Sequence, residues 1–567
     1  METYSEPTHS DPSTSEQMAM ASSSPPSTDA DLEDKTKSPK TDNVEVVTGA
    51  RLLLMLASLS LACFLILLDT SIVSTAIPKI TDHFHSLPDV GWYGSAYQLG
   101  SSVLQPLTGK IYNHFSLKWT FIAFFAIFEL GSAICGAAQS SAMLIVGRAV
   151  SGVGASALIN GAFTIVSSSV PLEKQPRNAV AQLGVAIGPL VGGAFTHGYT
   201  WRWCFYINLP LGALVAFPLI LMHIPEQVPK ESPGSALRKV HHHLDLVGFA
   251  LFAPAVIQLL LALQFGGNQF AWNSSQVIGL FCGAGATFIV WLVWNYHKGD
   301  DGLLPVPTIR RRAVWMSGLN YTFLMSTLFG ASYFLPIYFQ AVKGVNAIMS
   351  GVYLLATILP QLVGAVLSGT LISKIGYIPP ISIFAATLTS IGSGLYAMLQ
   401  PGTSTAKWVG YQVLTGFGRG TGFTTPVTAV QHAVSKTELS SALAFIVWCQ
   451  YIGPAIFLSL YNTIFDTSLR PQLREHAPNT NANAIIMAGA TEFRRIVHAQ
   501  DLPGVLVAFS NSLDRVFYLV AAAGVVAWFA AWGMGWKDIR KTKEESPADS
   551  TANIDEEKDQ HDTDNRV

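Results

Sequence analysis

Long apolar segments recur along most of the chain and are separated by short polar connections. A membrane-spanning helix needs about 20 mostly apolar residues, because the hydrocarbon core of a bilayer is about 30 Å thick. The pattern therefore predicts an all-α, polytopic membrane protein. We place fourteen predicted spans at about 50–74, 91–112, 117–138, 142–168, 178–198, 203–223, 246–266, 276–297, 314–340, 347–373, 378–400, 406–430, 440–465 and 515–536.

Polar segments flank the apolar region at both ends. Residues 1–48 are rich in Ser, Thr, Pro, Asp and Glu, and residues 537–567 in Lys, Asp and Glu. Neither segment holds enough apolar residues to form a core, so both are predicted to be disordered tails. Lysine and arginine are concentrated in alternate connections, and this bias predicts that both tails are cytoplasmic.

Composition narrows the function classes. Charged residues make up 12% of the 567 residues, against roughly 25% in soluble proteins, and the net charge of −2 indicates no nucleic-acid partner. The chain has no phosphate-binding G-x-x-x-x-G-K-[ST] loop, no HExxH and no GxSxG, so neither ATP drive nor hydrolysis is expected. The five cysteines lack the spacing of a metal or disulfide framework. We therefore predict no enzyme activity, no cofactor and no metal site.

Four charged residues interrupt the apolar spans. They are Asp69 in span 1, Glu129 in span 3, Arg148 in span 4 and Arg419 in span 12. A charge within a span costs about 2.5–3.5 kcal/mol on insertion scales, so each of the four needs a partner or a function. A carboxylate in a cavity could exchange protons, whereas the alternative is a paired side chain that only holds helices together.

A cluster of small residues and proline marks span 5, where residues 184–193 read GVAIGPLVGG. Glycines four apart lie on one helix face and allow another helix to approach closely, while a proline removes a backbone donor. This stretch resembles the antiporter motif G-x-x-x-G-P-x-x-G-G of drug:proton exporters in the major facilitator superfamily. The matching positions are Gly184, Gly188, Pro189, Gly192 and Gly193.

Three further segments resemble motifs of the same family, and two of them, around Asp69 and Glu129, resemble its fourteen-helix branch. Residues 68–78 are similar to its helix-one motif L-D-x-T-I-V-x-x-A-L-P, with Ser71 and Ile77 as departures. Arg148 begins a sequence similar to the helix-four pattern R-x-x-x-G-x-G-A, and Glu129 lies in a segment similar to helix three. The resemblance implies that Asp69, Glu129 and Arg148 take part in proton coupling.

The connection between spans 2 and 3 resembles the family's gating loop, G-x-L-x-D-R-x-G-R-K, in a degraded form. Gly109 and Lys118 match the pattern, but Asn113 stands in place of the acid and His114 in place of the arginine. A latch here would depend on hydrogen bonds more than on ion pairs. The alternative is an ordinary solvated turn.

The resemblance implies a major facilitator fold with two six-helix bundles and two linking helices. The expected domains are an N-terminal bundle at 49–224, a cytoplasmic loop with the linking helices at 225–313, and a C-terminal bundle at 314–536 that includes an outer loop at 466–514. A substrate cavity would lie between the bundles. Polar side chains that could line the cavity or pack helices are Tyr97, Gln98, Gln105, Asn160, Gln361, Arg419 and Gln450.

The function implied is proton-coupled efflux of a small hydrophobic compound by alternating access, with a fungal secondary metabolite or toxin as cargo. A monomer in the plasma membrane is expected, with a vacuolar or vesicle membrane as the alternative, and Asn273 forms a glycosylation sequon in an outer loop. A siderophore or basic amino-acid carrier of the same fold, and a non-transporting sensor, are alternative functions. The segment before Gly184 is shorter than in the family, so span 5 is expected to lack part of its cytoplasmic half.

Overall fold

The fold of the protein is all-α in the part of the chain that the computed structural model describes. The described residues are 49–169, 179–222, 224, 244–267, 269–299, 302–304, 306–434 and 438–538, and they contain no β-strand. The predicted fold class is confirmed. The α-helices are α1 Gly49–Phe84, α2 Val90–His114, α3 Leu117–Gly136, α4 Ser141–Ser169, α5 Ala179–Gly198, α6 Trp203–Tyr206, α7 Asn208–Leu221, α8 Leu246–Phe265, α9 Ser275–Lys298, α10 Val306–Ile309, α11 Arg312–Ile337, α12 Ala347–Ile375, α13 Pro379–Tyr396, α14 Thr405–Gly422, α15 Thr425–Ala433, α16 Leu439–His476, α17 Ala482–Ala488, α18 Phe493–Ile496 and α19 Leu502–Ala531.

Ten helical segments among these residues are long and apolar enough to cross a bilayer. Helix α6 and helix α7 together form one of them, and helix α11 continues through a π-helical turn, residues 338–342, to form another. Four further helices, α2, α5, α13 and α14, are not part of this set of ten. They pack against its members and complete the bundles. The chain is thus a multi-pass membrane protein, while the number of fourteen spans stays a prediction.

Two groups of helices repeat the same packing pattern. In the first, α1 packs on α5, and both α2 and α3 pack on α4. In the second, α11 packs on α16, and both α12 and α13 pack on α14. The groups meet where α2 contacts α16 and where α5 contacts α12. By this pattern α2 corresponds to α12 and α5 corresponds to α16, so the two contacts are equivalent. Such equivalence is expected for two halves related by an axis along the membrane normal.

Glycines explain why α4 and α14 hold the equivalent central positions. On α4, a methyl group at Gly152 would overlap α2 and one at Gly154 would overlap α3. On α14, Gly416 and Gly418 have the same spacing. A methyl group at Gly416 would overlap α12, and one at Gly418 would overlap α13. Small residues at such positions let three helix backbones converge, which larger side chains would prevent.

The two linking helices pack on each other at the edge of the molecule. Helix α8 also contacts α16 and α2, whereas much of the surface of α9 remains exposed, including Ile289 and Val293. Asp245 begins α8 by accepting a hydrogen bond from the backbone of Gly248 at 3.1 Å and another from Trp294 Nε1 at 2.9 Å. This cap fixes the start of α8 against α9.

The outer connection is shorter than the predicted loop at 466–514, because helices occupy both ends of that segment. Helix α16 continues to His476 and α19 begins at Leu502, leaving residues 477–501 with two short helices. The predicted span 13 ended at about residue 465. The helix continues because Leu469 and Leu473 stay buried against the core.

Contacts between the bundles close the predicted outer end of the molecule. Asn462 of α16 accepts a hydrogen bond from the Gly91 backbone at 3.0 Å and donates one to the Pro88 carbonyl at 2.7 Å. Asp82, near the end of α1, accepts hydrogen bonds from the backbone of Thr491 at 3.0 Å and of Glu492 at 3.3 Å. The outer connection is therefore tied to the N-terminal bundle.

The predicted short fifth helix is only partly within the described residues. Helix α5 has 20 residues, whereas α1 has 36. At a rise of 1.5 Å per residue, α5 is about 30 Å long. The shortening was expected between Lys174 and Gly184, and residues 170–178 lie outside the described residues. So do the terminal segments at 1–48 and 539–567 and residues 225–243.

Candidate functional site

The glycines of the antiporter motif place α5 directly against α1. A methyl group at Gly184 would overlap the α1 backbone at Phe64, and one at Gly192 would overlap it at Ile72. Gly188 lies over the hydroxyl of Ser71, leaving no room for a side chain. The four-residue spacing therefore lines up three close contacts along one face of α5.

Hydrogen bonds reinforce this contact and extend it to the second bundle. Ser71 Oγ donates to the Gly184 carbonyl at 3.1 Å, and Thr75 Oγ1 donates to the Pro189 carbonyl at 3.2 Å. On the opposite side, a methyl group at Gly193 would lie 2.6 Å from the Ala347 carbonyl of α12. The motif thus packs α5 between α1 and α12, at one of the places where the two bundles meet.

A buried ion pair lies at the centre of the N-terminal bundle. Arg148 Nη1 of α4 donates to Asp69 Oδ2 of α1 at 2.6 Å, and the two side chains are 1% and 0% exposed. Asn208 of α7 donates through Nδ2 to Asp69 Oδ1 and to Ser132 Oγ, both at 3.1 Å. Because the pair is so well enclosed, removing either charge would leave the other buried without a partner.

The arginine of this pair has further contacts that fix its position. Arg148 Nε donates to the Tyr93 carbonyl at 3.1 Å, and its guanidinium carbon lies 4.4 Å from the ring centre of Tyr97. The Phe205 ring lies 5.9 Å away on the start of the α6–α7 segment. Helices α1, α2, α3, α4 and α7 therefore all contribute to one hydrogen-bonded and cation–π network.

Glu129 stands beside this network on α3. Its two carboxylate oxygens are shielded from solvent and make no hydrogen bond with the described residues. They lie against the backbone of Gly212 on α7, where a side chain would overlap them. Ser132, three residues further along α3, is the one that accepts the hydrogen bond from Asn208. Glu129 is thus a carboxyl group without an ion-pair partner among the described residues, one helical turn from the Asp69 network.

A cavity of about 90 Å³ lies between the two bundles. Helices α1, α11 and α12 contribute most of the lining residues, and apolar side chains predominate in the wall as a whole, as is usual for small-molecule sites. Of the residues predicted for the cavity, Gln98, Gln361, Arg419 and Gln450 line it. Ser71 and Pro189 line it as well, so the cavity adjoins the antiporter motif.

Three other polar residues predicted for the cavity are absent from its lining. Tyr97 contacts Arg148 instead, and Asn160 donates to Thr108 Oγ1 at 3.4 Å. The side chain of Gln105 is buried within α2 and makes no hydrogen bond with the described residues. Their sequence pattern could not separate them from lining residues, because a polar residue in a span can face another helix as easily as a cavity.

Lys118 of the predicted gating loop contacts the end of another helix. Lys118 donates to the carbonyls of Ile220 and Met222 at 2.6 and 2.7 Å, so it caps the carboxyl end of α7 within its own bundle. Gly109 faces open space. The side chain of Asn113 lies outside the described residues.

The predicted glycosylation residue Asn273 is exposed, in the turn before α9. The neighbouring Ser274 caps that helix by accepting a hydrogen bond from the Val277 backbone at 3.3 Å. A second sequon begins at Asn320, which is buried and donates to the Ala527 carbonyl at 2.7 Å. No group of three or more potential metal ligands occurs among the described residues, and His241, His242 and His243 lie outside them.

Sequence reasoning missed Asn208, Ser132 and Asn462 as parts of this site. Asn208 follows an aromatic segment, residues 201–206, that indicates an interfacial anchor. A polar amide at the start of an otherwise apolar span was the available signal. Its pairing with Asp69, 139 residues away in sequence, is visible only in the fold.

Comparison with known proteins decides the family. The model of the Major Facilitator Superfamily matches residues 59–458. The chain belongs to the major facilitator superfamily. This is a family of membrane transporters, and the described fold and inter-bundle cavity agree with it.

Curated fungal proteins match almost the whole chain. It is 54% identical over 513 residues to the MFS-type transporter pigP of Monascus ruber, covering 90% of each protein. It is 48% identical to the MFS-type transporter calB of Penicillium decumbens, covering 88% of this chain and 91% of that protein. It is 47% identical to the efflux pump mlcE of Penicillium citrinum, covering 87% and 92% respectively.

Solved structures share the fold at low sequence identity. A bacterial homologue of the human lysosomal transporter Spinster has a TM-score of 0.57 and 16% identity, covering 86% of this chain and 98% of that one. A peptide transporter of the POT family has a TM-score of 0.51 and 14% identity, covering 82% and 96%. At this identity the likeness concerns the fold alone.

Proposed function

We propose that this transporter exports a small, largely hydrophobic compound in exchange for protons, with a fungal secondary metabolite as the cargo class. The relatives named as efflux pumps and transporters support the direction of transport. The observation that carries the proton coupling is the Asp69–Arg148 pair, enclosed in the bundle whose helices α1 and α2 also line the cavity. No resident cofactor is required, because the proton gradient supplies the energy.

The geometry offers a physical route from protonation to movement. Protonating Asp69 would remove the charge that holds Arg148 and would weaken the hydrogen bond from Asn208. Helices α1, α4 and α7 would then be less tightly joined. Because Ser71 and Thr75 of α1 also bind α5, a shift of α1 reaches the interface between the bundles. Glu129 offers a second carboxyl group that can hold the proton.

Alternating access then follows from the closed outer end. Hydrogen bonds that Asn462 and Asp82 accept from backbone N–H groups hold the bundles together on that side of the cavity. A transporter must break such contacts to release cargo outside and re-form them afterwards. We propose that a proton entering from outside favours the return step, while cargo leaves in the opposite direction.

The experiment measures export driven by a pH gradient. Purified protein is reconstituted into liposomes and tested with a panel of hydrophobic fluorescent dyes, with Nile red as the uncharged member. Protein-dependent dye movement should follow the imposed pH gradient and stop when a protonophore collapses it. Transport that is indifferent to the gradient would refute proton coupling.

Variants identify the carboxyl groups in the same assay. Asp69→Asn and Glu129→Gln are each expected to reduce gradient-driven movement, because each removes a group that can bind a proton in the spans. Asp245→Asn is the matched control, since Asp245 is also buried but caps α8 away from the ion pair. Asparagine is an equally good helix cap, so this variant should retain coupling.

One observation separates this proposal from a basic amino-acid carrier. Arg419 contributes a positive charge to the cavity wall, and no carboxylate of the described residues lines it. A cationic cargo would therefore meet repulsion without a counter-charge. We further propose that the protein acts without catalysis, as a monomer in the plasma membrane. Fractionation of a tagged protein tests which membrane holds it.

A further inference from the structure

Arg419 is the one charged side chain in the wall of the inter-bundle cavity, among the described residues. It projects from α14 and is 2% exposed. A charge so deeply placed within a membrane protein is costly unless another group satisfies it. The question is what that group is.

Its contacts within the protein are few and long. Arg419 Nη1 lies 3.4 Å from the Thr327 carbonyl and 3.3 Å from the Leu328 carbonyl. The other two guanidinium nitrogens, Nε and Nη2, are buried and have no hydrogen-bond partner among the described residues. No carboxylate of the described residues lies within 4.0 Å of Arg419 either.

The two free nitrogens share one edge of the guanidinium plane. The Nε–H and Nη2–H bonds on that edge are parallel, which is the arrangement that binds the two oxygens of a carboxylate. Arg148 provides the contrast within the same protein, since Asp69 satisfies its charge at 2.6 Å. Arg419 therefore has both the charge and the geometry of an anion site whose partner is not supplied by the described residues.

The internal repeat has a small side chain at the position equivalent to Arg419. Gly154 on α4 and Gly418 on α14 occupy equivalent positions. The residue after Gly418 is Arg419, so its counterpart is the residue after Gly154. In the first bundle that residue is Ala155, which is fully buried. The second bundle thus holds an arginine at the position where the first holds a methyl group.

We propose that Arg419 is the specificity-determining residue of the cavity and binds the carboxylate of an amphipathic cargo with an apolar body. The apolar wall provided by residues such as Leu335, Leu354 and Phe423 would bury that body. The inference deepens the proposed export function and rests on it for the identity of the cavity as the cargo site.

Binding to purified protein tests this inference without requiring transport. The probes are 1-pyrenebutyrate and its carboxamide, which have the same shape but differ in charge, and binding is read by energy transfer from tryptophan. The wild-type protein should bind the acid about tenfold more tightly than the amide, as expected for a charge-assisted bidentate contact.

Variants of the cavity then assign the preference. Arg419→Gln should abolish the preference for the acid and leave the affinity for the amide unchanged, which also shows that the cavity is intact. Arg419→Lys keeps the charge but not the parallel donors, so it should retain part of the preference. Gln361→Glu is a nearly isosteric variant that adds a negative charge to the same wall, so it should reduce binding of the acid even if Arg419→Gln does not fold. Gln98→Met on the opposite bundle should affect the two probes alike.

The outcomes separate this inference from the function on which it rests. Equal binding of the two probes by the wild-type protein, or an undiminished acid preference in Arg419→Gln, would overturn the role of Arg419 while leaving proton-driven export in place. Failure to bind either probe would overturn the inference together with the cavity as a cargo site. A preserved acid preference without pH-driven transport would refute the proposed function alone.

Discussion

The buried pair of Asp69 and Arg148 gives the sharpest prediction about stability. We expect Asp69→Asn and Arg148→Gln each to destabilise the protein strongly, because each leaves one charge without its partner at a 2.6 Å contact with almost no solvent exposure. Removing one member of a buried pair costs about 3–5 kcal/mol. If the two losses were independent, the double variant would lose about 6–10 kcal/mol, the sum of these values.

The double variant is expected to behave differently. With both charges removed, the amide groups of Asn at 69 and Gln at 148 can hydrogen-bond to each other and to Asn208. Neutral replacement of a whole buried pair is often close to neutral, so we expect a loss of about 1–2 kcal/mol, smaller than for either single change. The double variant should nevertheless lack proton-driven export, because the titratable group at position 69 is gone.

Thermal unfolding of the four proteins in one detergent measures this cycle. The expected order of unfolding temperature is wild type, then double variant, then the two single variants. Liposome transport on the same preparations separates stability from coupling. A double variant less stable than either single variant would refute the idea that the two charges compensate each other, and a double variant with normal coupling would refute the role of Asp69.

Three further predictions concern the helix contacts and the outer end. Gly192→Ala should greatly reduce export because its methyl group would overlap the Ile72 carbonyl, whereas Gly198→Ala on the same helix meets open space and should transport normally in the same liposome assay. Asn462→Ala removes two hydrogen bonds across the outer end, so spin labels on the outer ends of α5 and α13 should show a larger population of long distances, and an unchanged distribution would contradict this. Burial raises the pKa of Asp89, whose carboxylate accepts a hydrogen bond from Ser141 of α4. The folded protein therefore binds this proton more tightly than the unfolded chain does, and it gains stability as pH falls through the raised pKa. Asp89→Asn should weaken that pH dependence in thermal unfolding, and an identical profile would show that Asp89 does not cause it.

Much of the site could be predicted from residue type and spacing. Four-residue spacing of Gly184, Gly188 and Gly192 must place them on one helix face, and their close contact with α1 agrees with that geometry. Charge in an apolar span also indicated Asp69 and Arg148, since such residues need a partner. Their pairing with each other, rather than with solvent or lipid headgroups, required the packing of α1 against α4.

Other expectations could not be decided by pattern alone. Tyr97 and Gln98 are adjacent in sequence, yet Gln98 lines the cavity and Tyr97 contacts Arg148, because consecutive helical residues point about 100° apart. Lys118 resembles a gating residue but caps α7. Local similarity to a motif specifies the residue, while its partner depends on which helix is packed beside it.

The sequence by itself determined the membrane class, the helical architecture and the family, because long apolar runs and short glycine motifs are local properties of the chain. Only the tertiary structure decided which polar groups are satisfied. It paired Asp69 with Arg148 and Asn208. It left two nitrogens of Arg419, at the cavity wall, without a hydrogen-bond partner among the described residues. Burial and pairing depend on helices far apart in sequence, so the same residue type, arginine, is a structural partner in one bundle and a proposed cargo ligand in the other.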